Sequence, residues 1–310
     1  MASYELRDDE TPIEALRRIV REQMLGTAAS LRDPATETSR RVHESRKRFK
    51  EIRALLRLFR DPLAEQFALE NHWYRDAARE LADYRDADAV VAAVNNFSTK
   101  VKQRLGSDTM RRLRNVTRNE HRAIYRDRET AAATIENVAA QLSVAAARLN
   151  DLSQESFGGF AAIMPGMMRT IRQGKRAMRE AYESRNAIAF HEWRKRVKDH
   201  WYQVQLLTPL SSKLATRERM LHKLSHILGE HHDLEVIRGV VIAAETAFAP
   251  DEAARIDEVL AQCQERLARK ARSIGREIYG PRAVDFARRL EKRWKKRHGS
   301  RRAAAPSRKG

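Results

Sequence analysis

Ala, Leu, Arg, Glu, Gln and Lys fill long segments in which apolar residues return every three or four positions, as in Phe49, Ile52, Leu55, Leu56 and Phe59. That spacing is the period of a helix with one face buried, whereas the two-residue alternation of Val, Ile and Thr that marks strands is nearly absent. The pattern predicts helices over 12–30, 38–60, 63–84, 86–105, 107–150, 160–182, 186–208, 211–229, 233–247, 250–278 and 281–297, with 107–150 long enough for two. Pro12, Pro62, Pro250 and Pro281 suit first-turn positions, where a missing N–H costs nothing; Asp33-Pro34 and Thr208-Pro209 suit turns between helices. The fold class is therefore all-α.

The halves of this pattern match each other. Val42-His43-Glu44-Ser45-Arg46-Lys47-Arg48-Phe49-Lys50 aligns with Phe190-His191-Glu192-Trp193-Arg194-Lys195-Arg196-Val197-Lys198, six of nine positions being identical at an offset of 148. Leu81–Asp88 answers Leu228–Glu235 at an offset of 147. Two motifs repeated at a nearly constant offset imply a duplicated helical bundle, its copies packed about a pseudo-two-fold axis. Gly158 and Gly159 interrupt the periodicity midway, which divides the chain into residues 1–155, 156–297 and a basic, disordered tail at 298–310.

Charge adds a partner class. Lys and Arg number 61 against 42 Asp and Glu, a formal net charge of +19, so an anionic partner is expected. Residues 288–310 carry +10 of it, leaving +9 for the body. Apolar residues make up 42%, enough for a core. No run approaches the roughly 18 apolar residues of a membrane span, and the N-terminus lacks a signal-peptide layout, so a cytoplasmic protein without membrane contact is expected. The single cysteine, Cys263, permits no internal disulfide and no thiolate-rich metal site, and reads as inert packing.

On a helical projection from His43, Arg46, Lys50, Arg53 and Arg57 form one stripe with Lys47 beside it, opposite Phe49, Ile52, Leu55, Leu56 and Phe59. Like charges three and four apart repel, and only Glu44 and Glu51 offset nine cations between 40 and 60. A solvated face is the ordinary explanation of one such stripe. Here, however, the His, the Glu and every cation of the motif persist in both copies while neighbouring positions have changed. His191, Arg194, Lys195 and Lys198 begin the second face, after which Trp201, Tyr202 and Gln205 replace Arg53, Ala54 and Arg57. Lys175, Arg176 and Arg179 precede the second His helix, and Arg17, Arg18 and Arg21 the first, where they are placed to line the same cavity; Arg111, Arg112, Arg114, Arg118 and Arg122 suit a solvated face equally well. A lone His on an amphipathic helix is more often structural than a ligand. Neither His43 nor His191 has a partner at metal-ligand spacing, and His222/His226 with His231/His232 form only a speculative metal site, so no metal and no cofactor is expected. Asp86 and Asp233, each placed at a helix start, read as N-caps.

With those residues laid out, the chain resembles the CHAD family, the conserved-histidine α-helical domain, over roughly 12–297. The carriers are Phe190–Lys198, followed by Leu224-Ser225-His226-Ile227-Leu228-Gly229-Glu230-His231-His232-Asp233-Leu234, with Arg75-Asp76-Ala77-Ala78-Arg79 and Arg85-Asp86 in the first half. The resemblance implies two four-helix bundles, pseudo-symmetric about a basic central cavity, that bind inorganic polyphosphate and reach polyphosphate granules. It assigns anion contacts to His43, Arg46, Lys47, Lys50, His191, Arg194, Lys195 and Lys198. Ile171 departs from it, standing where a tyrosine is frequent. The triphosphate-tunnel domain of many relatives would bring an alternating Glu-x-Glu-x-Lys strand, and no such motif occurs here.

Polyphosphate has no bases to read, so Lys and Arg from two sides of a rigid cleft suffice to hold it. The competing expectation is non-specific nucleic-acid binding through the Arg288–Lys309 run, with Trp201 and Tyr202 as aromatic support. Catalysis is not expected, because the basic faces offer only Glu44 and Glu192, both at their edges.

Overall fold

The computed structural model describes residues 4–124, 128–148 and 159–304. The expected boundary between 155 and 156 and the last residues of the basic run, 305–310, lie outside the described residues. Among those described, regular structure is helical throughout and there is no strand.

The first helix, α1 (Pro12–Arg32), starts where Thr11 caps the Glu14 amide while the Glu14 carboxylate accepts from the Thr11 amide, with Pro12 in the first turn. It buries Leu16, Ile19, Val20, Met24 and Leu31 against α2 (Thr38–Leu58) and α7 (Arg128–Arg148). Between these run the short α3 (Arg60–Leu63), then α4 (Glu65–Glu80), α5 (Ala82–Leu105) and α6 (Ser107–Ile124). The second half comprises α8 (Met164–Ser184), α9 (Ala187–Leu207), α10 (Ser212–Ala243), α11 (Pro250–Tyr279) and α12 (Ala283–Ala304). Asn186 caps α9 and Ser211 caps α10. Helices α8 and α10 flank α9, α11 lies on α10, and α5 lies on both α6 and α10.

Helices α2 and α9, which carry the matched motifs, pack directly on each other. Gln203, fully buried on α9, donates from Nε2 to the Ala54 carbonyl of α2 at 2.9 Å. Close approach elsewhere depends on Gly166: a Cβ there would stand 2.1 Å from the Leu58 carbonyl oxygen, so only glycine lets α8 lie against the end of α2.

Several boundaries differ from expectation. The stretch 107–150 does form two helices. Residues 211–247, expected as two helices, hold one 32-residue helix running through Gly229 and Asp233. The polar cluster Glu230–Asp233 resembles a turn in sequence, but Leu228, Leu234 and Ile237 keep the buried face continuous through it. Asp233 therefore sits in a helix interior and is not an N-cap. The break in the first half falls at Leu81, so the backbone of Asp86 also lies inside a helix, its side chain being outside the described residues. Helix α12 continues to Ala304, so 298–304 of the expected disordered tail is helical.

Candidate functional site

The motif helices meet at a cleft of about 620 Å³. From α2 it takes His43, Arg46, Lys47 and Lys50; from α9, His191, Arg194, Lys198, Trp201 and Tyr202; from α10, His232, Asp233 and Val236. Ala89 and Val90 of α5 complete the described lining. The helical period explains the split between wall and anchor. Val42, Phe49, Ile52, Leu55 and Leu56 are fully buried on the opposite face of α2, while His43, Lys47 and Lys50 stay exposed. Five formal cations, Arg46, Lys47, Lys50, Arg194 and Lys198, face one described carboxylate, Asp233.

The histidines have different surroundings. The His191 ring lies 4.4 Å from that of His232, and its Nδ1 is buried without a hydrogen-bond partner. Burial first, then His232, Lys195 and Arg194, push its pKa down to about 4, so the ring is neutral at pH 7. A phosphate oxygen arriving there would favour the protonated ring, which donates from both nitrogens. His231, one residue along α10, points elsewhere: it stacks on Phe190 at 4.4 Å and is held at about pKa 4, chiefly by burial. No group of three or more His, Cys, Asp or Glu among the described residues is placed to hold a metal ion.

The candidate residues separate into a cleft set and others. Arg53 leaves the cleft: its Nε donates to Asn71 Oδ1 at 3.2 Å, and burial lowers its pKa to about 10. Arg57 turns to α9 and pairs with Asp199 at 3.1 Å. Lys195 is exposed at the edge, 3.1 Å from Glu192. On α8, Arg176 and Arg179 are exposed beside Glu180 and Glu183, while Lys175 lies with Pro281 and Arg282, so none of the three lines the cleft. Arg18 is held by Glu10 and Glu22, Arg111 by Asp108 and Arg112 by Glu252; the Arg122 side chain lies outside the described residues.

Asp199 and Arg196, not singled out as site residues beforehand, complete a chain of ion pairs. Asp199 accepts from Arg57 of α2 and from Arg196, and Arg196 reaches back to Glu192, which also holds Lys195. This network ties α2 to α9 immediately below the cleft. Extending the internal alignment by one position would have found it, because Glu51 and Asp199 follow Lys50 and Lys198 at the same offset. The two carboxylates diverge in role: Glu51 is buried, accepts from Gln23 at 3.2 Å, and is pushed up to about pKa 7, mainly by burial.

An all-α scaffold with cations from two adjacent helices converging on one cleft defines a class of anion-receiving helical proteins. The CHAD domain family matches residues 15–242, and the chain belongs to it. CHAD domains in general bind polyphosphate. A search of curated proteins found no match. No helix among the described residues is long and apolar enough to cross a membrane.

Proposed function

We propose that this protein is a non-catalytic binder of long-chain inorganic polyphosphate, held between the cationic rows of α2 and α9, and that it works in the cytoplasm at polyphosphate granules. The observation that carries the reading is the cleft, where five formal cations approach from two helices. Its length of charged wall suits a flexible polyanion that offers only phosphate oxygens. Arg46 and Arg194 each supply a planar fork able to take two oxygens, and the lysines adjust as mobile point charges.

The same reading includes two pseudo-symmetric halves around the cleft. Helices α1 and α8 are both 21 residues long, as are α2 and α9, and in each half the first of these packs on the second. The reading includes binding without phosphoryl transfer, a reaction that would call for several positioned acidic or nucleophilic groups. Incubation with magnesium and polyphosphate is expected to release no orthophosphate.

The test is fluorescence anisotropy with end-labelled long-chain polyphosphate, competed by pyrophosphate and by duplex DNA. Strong competition only by unlabelled long chains is expected, with Lys47→Glu combined with Lys198→Glu abolishing it. Pyrophosphate competing equally per molecule would overturn the reading. DNA competing at lower phosphate concentration would favour the nucleic-acid alternative, and removal of 298–310 would then weaken DNA binding most. Co-localisation of a fluorescent fusion with granules, lost in cells lacking polyphosphate, tests the location.

A further inference from the structure

A second pocket, of about 340 Å³, opens from the same cleft and shares Arg194, Lys198, Trp201 and Asp233 with it. Its chemistry is different. Phe97 of α5, Leu234 and Ile237 of α10, and Leu267 of α11 form an apolar floor. Around them stand Asn96, exposed, and Ser225, which is only 5% exposed. Glu230 joins Asp233 on the wall, with Arg266, His222 and His226 beside them.

A chain of phosphates gains nothing from an apolar floor. A ligand that is anionic at one end and flat, apolar and hydrogen-bonding at the other uses both compartments. Ribose hydroxyls donate, which suits Glu230 and Asp233; a base buries its faces on Phe97 and Leu234 and offers its edge to amide and hydroxyl groups such as those of Asn96 and Ser225. The volume lies at the lower end of the range for small-molecule sites, about 300–1,000 Å³, as a nucleoside requires. Arg194 and Lys198, at the junction, are placed to hold the first phosphates as they leave the sugar.

We infer that this pocket receives the nucleoside of a nucleoside 5′-polyphosphate, with its phosphate chain entering the cationic cleft. The inference rests on the proposed function only in taking the cleft as the phosphate compartment. Inorganic tripolyphosphate carries more negative charge than the triphosphate of ATP, whose α-phosphate is esterified to the ribose and so has one ionisable oxygen fewer. Electrostatic attraction alone therefore ranks tripolyphosphate above ATP, and a nucleoside pocket reverses the order.

The test is isothermal titration calorimetry of the full chain with ATP, GTP, UTP, inorganic tripolyphosphate and long-chain polyphosphate, without magnesium. At least one nucleotide is expected to bind about tenfold or more tightly than tripolyphosphate, a difference of the size a buried apolar group supplies. Ser225→Leu, which fills the pocket, is expected to erase that preference while leaving tripolyphosphate and long-chain binding within twofold. Because Ser225 is largely buried, Asn96→Leu at an exposed position gives a second measurement if Ser225→Leu does not fold. Nucleotides binding no better than tripolyphosphate overturns the inference, as does a preference that survives folded pocket variants. Loss of long-chain binding with the nucleotide preference retained would sink the polyphosphate reading and leave this one standing.

Discussion

Salt dependence offers a quantitative test of whether the cleft, and not the general basic surface, binds polyphosphate. Neutralising a phosphate releases its condensed counterion, and with a single-strand coefficient each contact contributes about −0.7 to the slope of log K against log salt. Five cleft cations then give about −3.5, or binding about a hundredfold weaker at about 200 mM than at about 50 mM salt. Lys47→Ala combined with Lys50→Ala removes two exposed cations from the rim of α2 and should bring the slope to about −2. Arg176→Ala with Arg179→Ala removes the same charge from α8, where both residues sit beside glutamates outside the cleft, and should leave the slope unchanged. Anisotropy titrations at four or more chloride concentrations, on proteins with matched circular dichroism spectra, measure both. Equal flattening by the two pairs would refute the reasoning, because it would mean contacts spread over the surface. A lysine pair that lowers affinity at an unchanged slope would refute it too.

Acidification should lower stability, with one group opposing. His191, His200 and His231 all have folded pKa values below the ordinary value because burial disfavours the imidazolium. Their contribution is complete above about pH 6.5 and is lost as pH falls through the folded values, about 4 for His191 and His231, because the unfolded chain binds protons that the folded one refuses. Glu51, pushed up to about 7, acts oppositely: it favours the fold below about pH 4.5 and loses that effect as pH rises through 7. Three groups against one predict a melting temperature that falls from pH 7 to pH 4.5; a flat or rising profile would count against these environments. Gly166→Ala should cost stability at or above the upper end of the usual overpacking range of about 1–3 kcal/mol, since its methyl meets backbone at Leu58 that cannot step aside; urea unfolding with an unshifted midpoint would contradict the close approach of α8 and α2. Asp199→Asn should destabilise by about 1–3 kcal/mol by leaving Arg57 without its carboxylate and Arg196 with Glu192 alone, yet polyphosphate affinity should not fall, which a titration checks.

What the sequence made legible was whatever a single helix encodes about itself. The 3.6-residue period placed α1, α2, α9 and α11 within a few residues, and the duplicated motif identified His43, Arg46, Lys47, Lys50, His191, Arg194 and Lys198, which the cleft brings together. Arg53 and Arg57 share their stripe with Arg46 and Lys50, but a helical projection carries no record of where a neighbouring helix crosses. Contacts with α4 and α9 cover the last two turns of α2, and there a cation must find Asn71 or Asp199 instead of solvent. Lys175, Arg176 and Arg179 fail as cleft residues for the related reason that proximity in sequence to α9 says nothing about which side of α8 faces it. Asp233 was misplaced by local composition, since a run of Gly, Glu, His, His and Asp suggests a break until the buried residues on either side are seen to continue one helix.

The cleft also explains a conflict within α2. Helix stability would favour alternating charge, and the i,i+3 and i,i+4 neighbours Arg46, Lys50 and Arg53 instead repel one another. The fold tolerates this because the opposite face is fully buried from Val42 to Leu58, so tertiary packing and not side-chain pairing holds the helix. It is tolerated unequally along the helix. Where α4 and α9 cover it, Arg53 donates to Asn71 and Arg57 is matched by Asp199, so each cation has a partner within the fold. Over the first turns, where the cleft is open, Lys47 and Lys50 remain exposed. The same sequence of cations is thus covered by neighbouring helices at one end and faces the open cleft at the other, a division set by where those helices pack on α2.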